Sequence, residues 1–149
     1  NEALSEKICE KLNKSKNIGV GLLTLRQVSF GLADQHLHGE NYKDSLLEIE
    51  HAAQKVTTIS YPKDINHLAA FGHLLGGYDA GYYGYLWSEV YAAEVFQLFK
   101  DSGNIFNRDV GLHYRKCILE KGGTQTGFTM LENLLGRPPN SDAFLSQFT

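Results

Sequence analysis

Cysteine is scarce: the 149 residues hold two, Cys9 and Cys117. Two cysteines far apart do not make a secreted disulfide framework, and without a C-x-x-C there is no cysteine-based zinc motif. Both fall on expected helices and read as free thiols in a reducing compartment. Long apolar runs are absent. No stretch approaches the roughly 20 residues that a membrane-spanning helix needs. Charge of one sign is also lacking, with 14 basic and 17 acidic residues and a net charge of −3. Nothing here favours nucleic acid or an anionic membrane as a partner. The densest basic run, Lys7, Lys11, Lys14 and Lys16, interleaves with Glu2, Glu6 and Glu10 and reads as a solvated helix face. Catalytic signatures are missing as well. The six histidines form no H-E-x-x-H, and His36 and His38, two apart on one expected helix, point to different faces. There is no G-x-S-x-G and no phosphate loop. By its own residues the chain holds no metal and no self-sufficient catalytic constellation.

What is present is mostly helical pattern. Leu4, Ile8 and Leu12 recur at helical spacing over residues 2–16 and predict an amphipathic helix with one buried stripe, ended by Asn17 and Gly19. Residues 20–38 carry leucine, valine and phenylalanine on nearly all sides, so that helix is expected to be covered on most faces. Residues 42–56 are amphipathic again, through Leu46, Leu47, Ile49, Ala53 and Val56. Residues 57–80 are broken by Pro62, Asn66, Gly72, Gly76 and Gly77, with short extended pieces, at most one hairpin, at Thr57–Ser60 and Gly72–Leu75. A long helix is expected from about Tyr82 to Lys100. Another follows an Asn107 cap through Leu119, and a third runs from a Thr124 or Thr126 cap to Leu135. After the turn at Pro138-Pro139 a short helix starts at Ser141. The length suits one domain or part of a larger one. The fold class is mainly α, in a single region, residues 1–149. Because the first residue is Asn1 and a helix starts at once, the chain reads as a piece of a longer protein whose targeting signal lies outside it.

One segment stands apart. Residues 71–91 hold five of the eight tyrosines, the only tryptophan and five of the fifteen glycines. On a helix starting near Tyr78, Tyr78, Tyr82, Tyr85 and Glu89 share one face, while Tyr83, Trp87, Val90 and Glu94 form a stripe suited to packing. Spacing alone is compatible with tyrosines that merely line a core. The glycines argue otherwise. Each costs about 1 kcal/mol inside a helix, which is easier to understand where backbone must flex or approach a ligand. His73 adds a further donor beside the phenols.

The order Phe71-Gly72-His73-Leu74, Gly76-Gly77-Tyr78-Asp79-Ala80, then Tyr82-Tyr83-Gly84-Tyr85-Leu86-Trp87-Ser88-Glu89-Val90-Tyr91 resembles the C-terminal region of the thimet oligopeptidase and neurolysin family of zinc metallopeptidases. Leu25-Arg26-Gln27-Val28, Cys117 to Gly123 and Leu134-Leu135-Gly136-Arg137 extend the resemblance over nearly the whole chain. Asp79 with Ser88-Glu89-Val90-Tyr91 looks closer to the thimet branch than to the bacterial oligopeptidase A or dipeptidyl carboxypeptidase branches.

The resemblance implies a helical part of the zincin-like oligopeptidase fold, around a deep substrate channel, in a cytosolic enzyme that cuts internal bonds of short peptides. The Zn2+ of the parent would be held by an H-E-x-x-H and a glutamate preceding this chain, and this piece alone would bind none and be inactive. The active-site loop would span about 71–85. His73 and Tyr85 match residues that hydrogen-bond the tetrahedral intermediate and the scissile carbonyl. Tyr78 and Tyr82 match substrate-contacting tyrosines, and Gly76 and Gly77 lie in a loop that moves around bound peptide. The partners implied are short peptides and the upstream half of the same polypeptide. A rival reading is a non-catalytic helical module that binds peptides or a partner through its tyrosine face, and a third is an inert bundle. On any reading, residues 20–38 cut from their covering should leave an apolar patch and promote self-association.

Overall fold

The computed structural model describes residues 3–40, 45–59, 62 and 65–148. Among them every regular element is helical. The chain divides into two compact units, one reaching to Leu86 and one from Trp87 to Gln147.

The first unit opens with α1, Glu6–Ser15. Its expected buried stripe is not buried: Leu4, Ile8 and Leu12 are all exposed, and no α1 residue is covered. The spacing is amphipathic, but no described element packs over that face. Gly19, expected as a helix stop, instead starts α2, Val20–Leu37, from the left-handed conformation at φ 76, which costs glycine little. The buried positions of α2 are Ser29, Gly31, Ala33 and Asp34, all in its C-terminal half. Leu22, Leu23 and Leu32 stay open, so the cover expected on most faces is only partial.

Helix α3, Leu46–Gln54, begins at a capping box. The Ser45 backbone N–H donates to Glu48 Oε2 at 2.7 Å, and the Ser45 hydroxyl accepts from the Glu48 N–H at 3.3 Å, satisfying two of the orphan donors of the first turn. The start expected at residue 42 lies outside the described residues. Ile49, fully buried, forms the core of this unit with Ala33, Ala53 and Leu68, and Leu37, Phe71 and Leu74 close around it. Burying a side chain of that size contributes about 2–3 kcal/mol. Glu50, also buried, accepts the His67 N–H and a Gln54 amide hydrogen, each at 3.1 Å, which ties the next segment to α3.

The two extended pieces are corrected by the structure. Thr57 turns its hydroxyl onto the carbonyls of Gln54 and Ile59, a local bond that competes with strand pairing; Ser60 lies outside the described residues. Leu68–Ala70 and Gly72–Leu75 are single turns of 3₁₀ helix. No strand occurs among the described residues.

Helix α4, Gly84–Asp101, starts two residues later than its spacing suggested. In the second unit Val90, Ala93, Leu131, Leu134 and Phe144 are buried. Helix α5, Arg108–Tyr114, is capped by Asn107, whose side-chain oxygen accepts from the Asp109 and Val110 N–H groups. It runs into a wider π turn, Arg115–Leu119. Helix α6, Gly127–Leu135, is capped by Thr126 and ended by left-handed Gly136, and α7 is the short Asp142–Leu145. Glu94, almost wholly buried, receives Arg137 Nη2 at 2.6 Å. Of the stripe expected to pack, Val90 and Glu94 are buried, but Tyr83 and Trp87 are more than half exposed. Cys9 and Cys117 are free thiols.

Candidate functional site

The site forms where the segment after the 3₁₀ turns folds back on α2. From Tyr78 the chain passes through successive tight turns, with Gly81 N–H on Tyr78 O, Gly84 N–H on Gly81 O and Tyr85 N–H on Tyr82 O. Two residues take the left-handed region: Gly77 at φ 85, and Ala80 at φ 54, the one non-glycine to do so among the described residues. Ala80 is held there from α2. Its N–H donates to Asp34 Oδ1 and its carbonyl accepts from Gln35 Nε2, each at 2.9 Å. The Tyr82 N–H donates to Asp34 Oδ2, also at 2.9 Å. The Tyr85 N–H closes a tight three-residue turn on the Tyr82 carbonyl in place of a four-residue helical one, and α4 begins only at Gly84.

Tyr78, Tyr82 and Tyr85 do converge, though by these turns and not along one helix face. Tyr78 stacks on Tyr85 with ring centres 5.2 Å apart, and Tyr82 lies 5.0 Å from Tyr85. His73 sits within 5.4–5.8 Å of all three rings, edge to face in each case, the arrangement that ring quadrupoles favour. Phe71 and Phe30 back the group, at 4.9 Å and 5.7 Å from Tyr82. An open cleft of about 690 Å³ runs over this surface, lined among others by Arg26, Gln27, His73, Gly76, Tyr78 and Tyr82. Tyr85, stacked on Tyr78, and Gly77 are not among the lining residues.

The phenols differ in how they are used. Tyr82 is 7% exposed and donates its hydroxyl to Gln27 Oε1 at 2.9 Å. Burial pushes its pKa up, against the opposing pull of the Arg26 charge and the Gln27 bond. Tyr85 is pushed up to about 12, first by its hydrogen bond to Tyr78, then by burial and by the neighbouring phenols. Both therefore stay protonated at neutral pH. Tyr78 is 45% exposed and faces the cleft. The wall thus offers a hydroxyl whose proton is engaged (Tyr82), one exposed hydroxyl (Tyr78) backed by a donor (Tyr85), and an exposed imidazole (His73).

Asp34 and Gln35 did not stand out in the sequence. Their signal was available: an aspartate in the apolar run Phe30-Gly31-Leu32-Ala33-Asp34 must be solvated or partnered if buried. No group of three or more His, Cys, Asp or Glu side chains able to hold a metal occurs among the described residues.

The described residues thus form a mainly helical scaffold that presents phenol and imidazole groups along an open cleft. The whole chain, residues 1–149, matches the model of peptidase family M3, and it belongs to that family. It is 36% identical over 141 residues to the thimet-like oligopeptidase of Dictyostelium discoideum, covering 93% of this chain and 21% of that protein. It is 37% identical over 152 residues to oligopeptidase A of Escherichia coli, covering 99% and 22%. It is 34% identical over 151 residues to saccharolysin of Saccharomyces cerevisiae, covering 98% and 21%. The chain thus spans about a fifth of the length of the curated relatives it matches. The near-equal identities to the first two do not separate a thimet branch from an oligopeptidase A branch.

Proposed function

We propose that this chain forms the substrate-binding and transition-state-stabilising wall of a cytosolic zinc oligopeptidase of the thimet type, which hydrolyses internal bonds of short peptides. The observation that carries the reading is the ring cluster of His73, Tyr78, Tyr82 and Tyr85, of which His73, Tyr78 and Tyr82 line one cleft, in a family of peptidases. No three metal-ligating side chains gather among the described residues, and on this reading, as the resemblance implies, the metal is held by residues outside this chain. The cytosolic assignment draws on a relative named as a probable cytosolic oligopeptidase A; no described helix is long and apolar enough to cross a membrane.

Peptide hydrolysis develops negative charge on the carbonyl oxygen, and fixed neutral donors beside that oxygen stabilise it without needing to reorganise. Tyr85 and His73 are the donors assigned to that role. In the resting arrangement the Tyr85 proton is engaged with Tyr78, so donation to a substrate oxygen exchanges one acceptor for another. Such catalytic bonds commonly tighten only when substrate is bound. Tyr82, its proton given to Gln27, keeps lone pairs that can accept a peptide N–H. Tyr78 can donate to a peptide carbonyl. The wall therefore reads main chain in both polarities. The glycines at 76 and 77 leave backbone open to the peptide.

The test is the full-length protein loaded with zinc and a quenched short peptide. Tyr85→Phe should lower kcat/KM by about 10²–10³-fold, the usual loss for one oxyanion donor, while the 149-residue chain alone should not turn over even with zinc added. An unaltered kcat/KM in Tyr85→Phe removes the assignment.

A further inference from the structure

The most deeply buried ionisable side chain among the described residues of the first unit is Asp34, which this chemistry leaves unused and which has no exposed surface. Its two oxygens take one backbone N–H each, from Ala80 and from Tyr82. The next residue, Gln35, holds the Ala80 carbonyl. His38 Nδ1, one helical turn on, lies 3.0 Å from Asp34 Oδ1. The object of these bonds is a turn that its own sequence does not favour. Ala80 at φ 54 occupies a region that side-chain-bearing residues avoid because Cβ crowds the following carbonyl. Charge-assisted bonds to a carboxylate away from water are strong enough to hold it there. The turn leads directly into Tyr82 and stands between Tyr78 and Tyr85. It therefore sets where all three rings lie.

We propose that Asp34 is the positioning residue of the tyrosine cleft: a two-pronged clamp on the Ala80–Tyr82 turn that holds Tyr78, Tyr82 and Tyr85 in register with His73. Its consequence for turnover rests on the peptidase reading above; the clamp itself does not. Asp34 touches no substrate. It acts by denying the turn its relaxed alternatives, and Gln35 closes the clamp from the other side of Ala80.

The experiment uses the full-length protein carrying Asp34→Asn, Ala80→Gly or both, with Gln35→Ala as a milder break. Asparagine keeps the shape and one acceptor, but its amide hydrogens meet the second backbone N–H, donor against donor. Turnover of a quenched short peptide should fall about 10–100-fold in kcat/KM for Asp34→Asn, the scale expected when reacting groups shift by an ångström or less. Gln35→Ala should fall less, in the same direction. Glycine takes the left-handed region freely, so Ala80→Gly should restore about 5-fold or more in the Asp34→Asn background, beyond any gain it gives the wild type. Hydrogen exchange read on the peptide spanning residues 78–83 should speed up about 10-fold or more in Asp34→Asn, with the rest of the chain unchanged. General loss of fold in Asp34→Asn would move that reading to Gln35→Ala, where local acceleration at 78–83 supports the clamp and its absence overturns it. Unchanged exchange at 78–83, or lost turnover that glycine at 80 does not relieve, overturns the proposal. If the wild-type protein cleaves no peptide, the proposed function fails, and the exchange result alone decides the clamp.

Discussion

Tyr82 reaches α2 through both of its ends: its backbone N–H lies on Asp34 Oδ2 and its phenol hydroxyl on Gln27 Oε1, each at 2.9 Å. The side chain is thus fixed at root and tip, two turns of one helix apart. Of the three phenols it is the most buried.

Tyr82→Phe should leave the ring packing intact and strip the bond at the tip. The expected cost is about 1 kcal/mol of stability, the net worth of one such bond, with a further penalty for the unpaired Gln27 oxygen if water cannot reach it. Because Tyr82 accepts from the peptide on this reading, KM should rise more than kcat falls. Denaturant unfolding and steady-state kinetics on the full-length protein check both halves.

Tyr85 should ionise late. Its pKa, raised from 10.0 to about 12, means that the folded state holds the proton after the unfolded state has lost it. The stability it contributes is complete below pH 10 and drains away as pH rises from 10 through about 12. Tyr82, raised by burial, works in the same direction. A tyrosinate absorbance titration of the native protein should show a late phenol that Tyr85→Phe abolishes. A titration with every tyrosine ionising at its ordinary value refutes it.

In the second unit, Arg137→Ala should leave Glu94 buried without its cation, with Oε1 already lacking a hydrogen-bond partner. Removing one member of a buried pair costs about 3–5 kcal/mol, and the half-exposed guanidinium places this pair toward the lower end. Glu94→Gln together with Arg137→Ala should recover part of that loss. Chemical denaturation of the set reads the coupling.

Leu22, Leu23 and Leu32 on α2, and Leu4, Ile8 and Leu12 in and just before α1, are exposed, apolar side chains whose burial against another molecule is favourable in water. The 149-residue chain in isolation should self-associate with rising concentration. Light scattering that reports a monomer throughout the accessible range counts against this.

Helices and caps were legible because their causes are local. Asn107, Thr126 and Gly136 act within one turn of themselves, so reading along the chain is enough. The Thr124 alternative loses because its hydroxyl turns back onto the Lys121 carbonyl. The meeting of Tyr78, Tyr82 and Tyr85 was legible too, but through the wrong geometry, since turns bring them together. What stayed hidden is non-local. Asp34 and its two backbone partners are 46 and 48 residues apart, and no periodicity links a helix carboxylate to a distant turn. The open face of α1 was hidden for the opposite reason: amphipathic spacing says that a stripe wants cover, not that cover is present in the same chain.

The π turn at Arg115–Leu119 has its own corollary. There the Glu120 N–H reaches back five residues to the Arg115 carbonyl, the mark of a surplus residue accommodated in a helix without ending it. Deleting one residue there would return the ladder to its ordinary pitch and swing everything downstream by about 100° around the axis. Cys117, whose sulfur now rests 3.6 Å from His113 Nδ1, would rotate out of that neighbourhood, and the Gly122-Gly123 bend would launch α6 toward a different quarter.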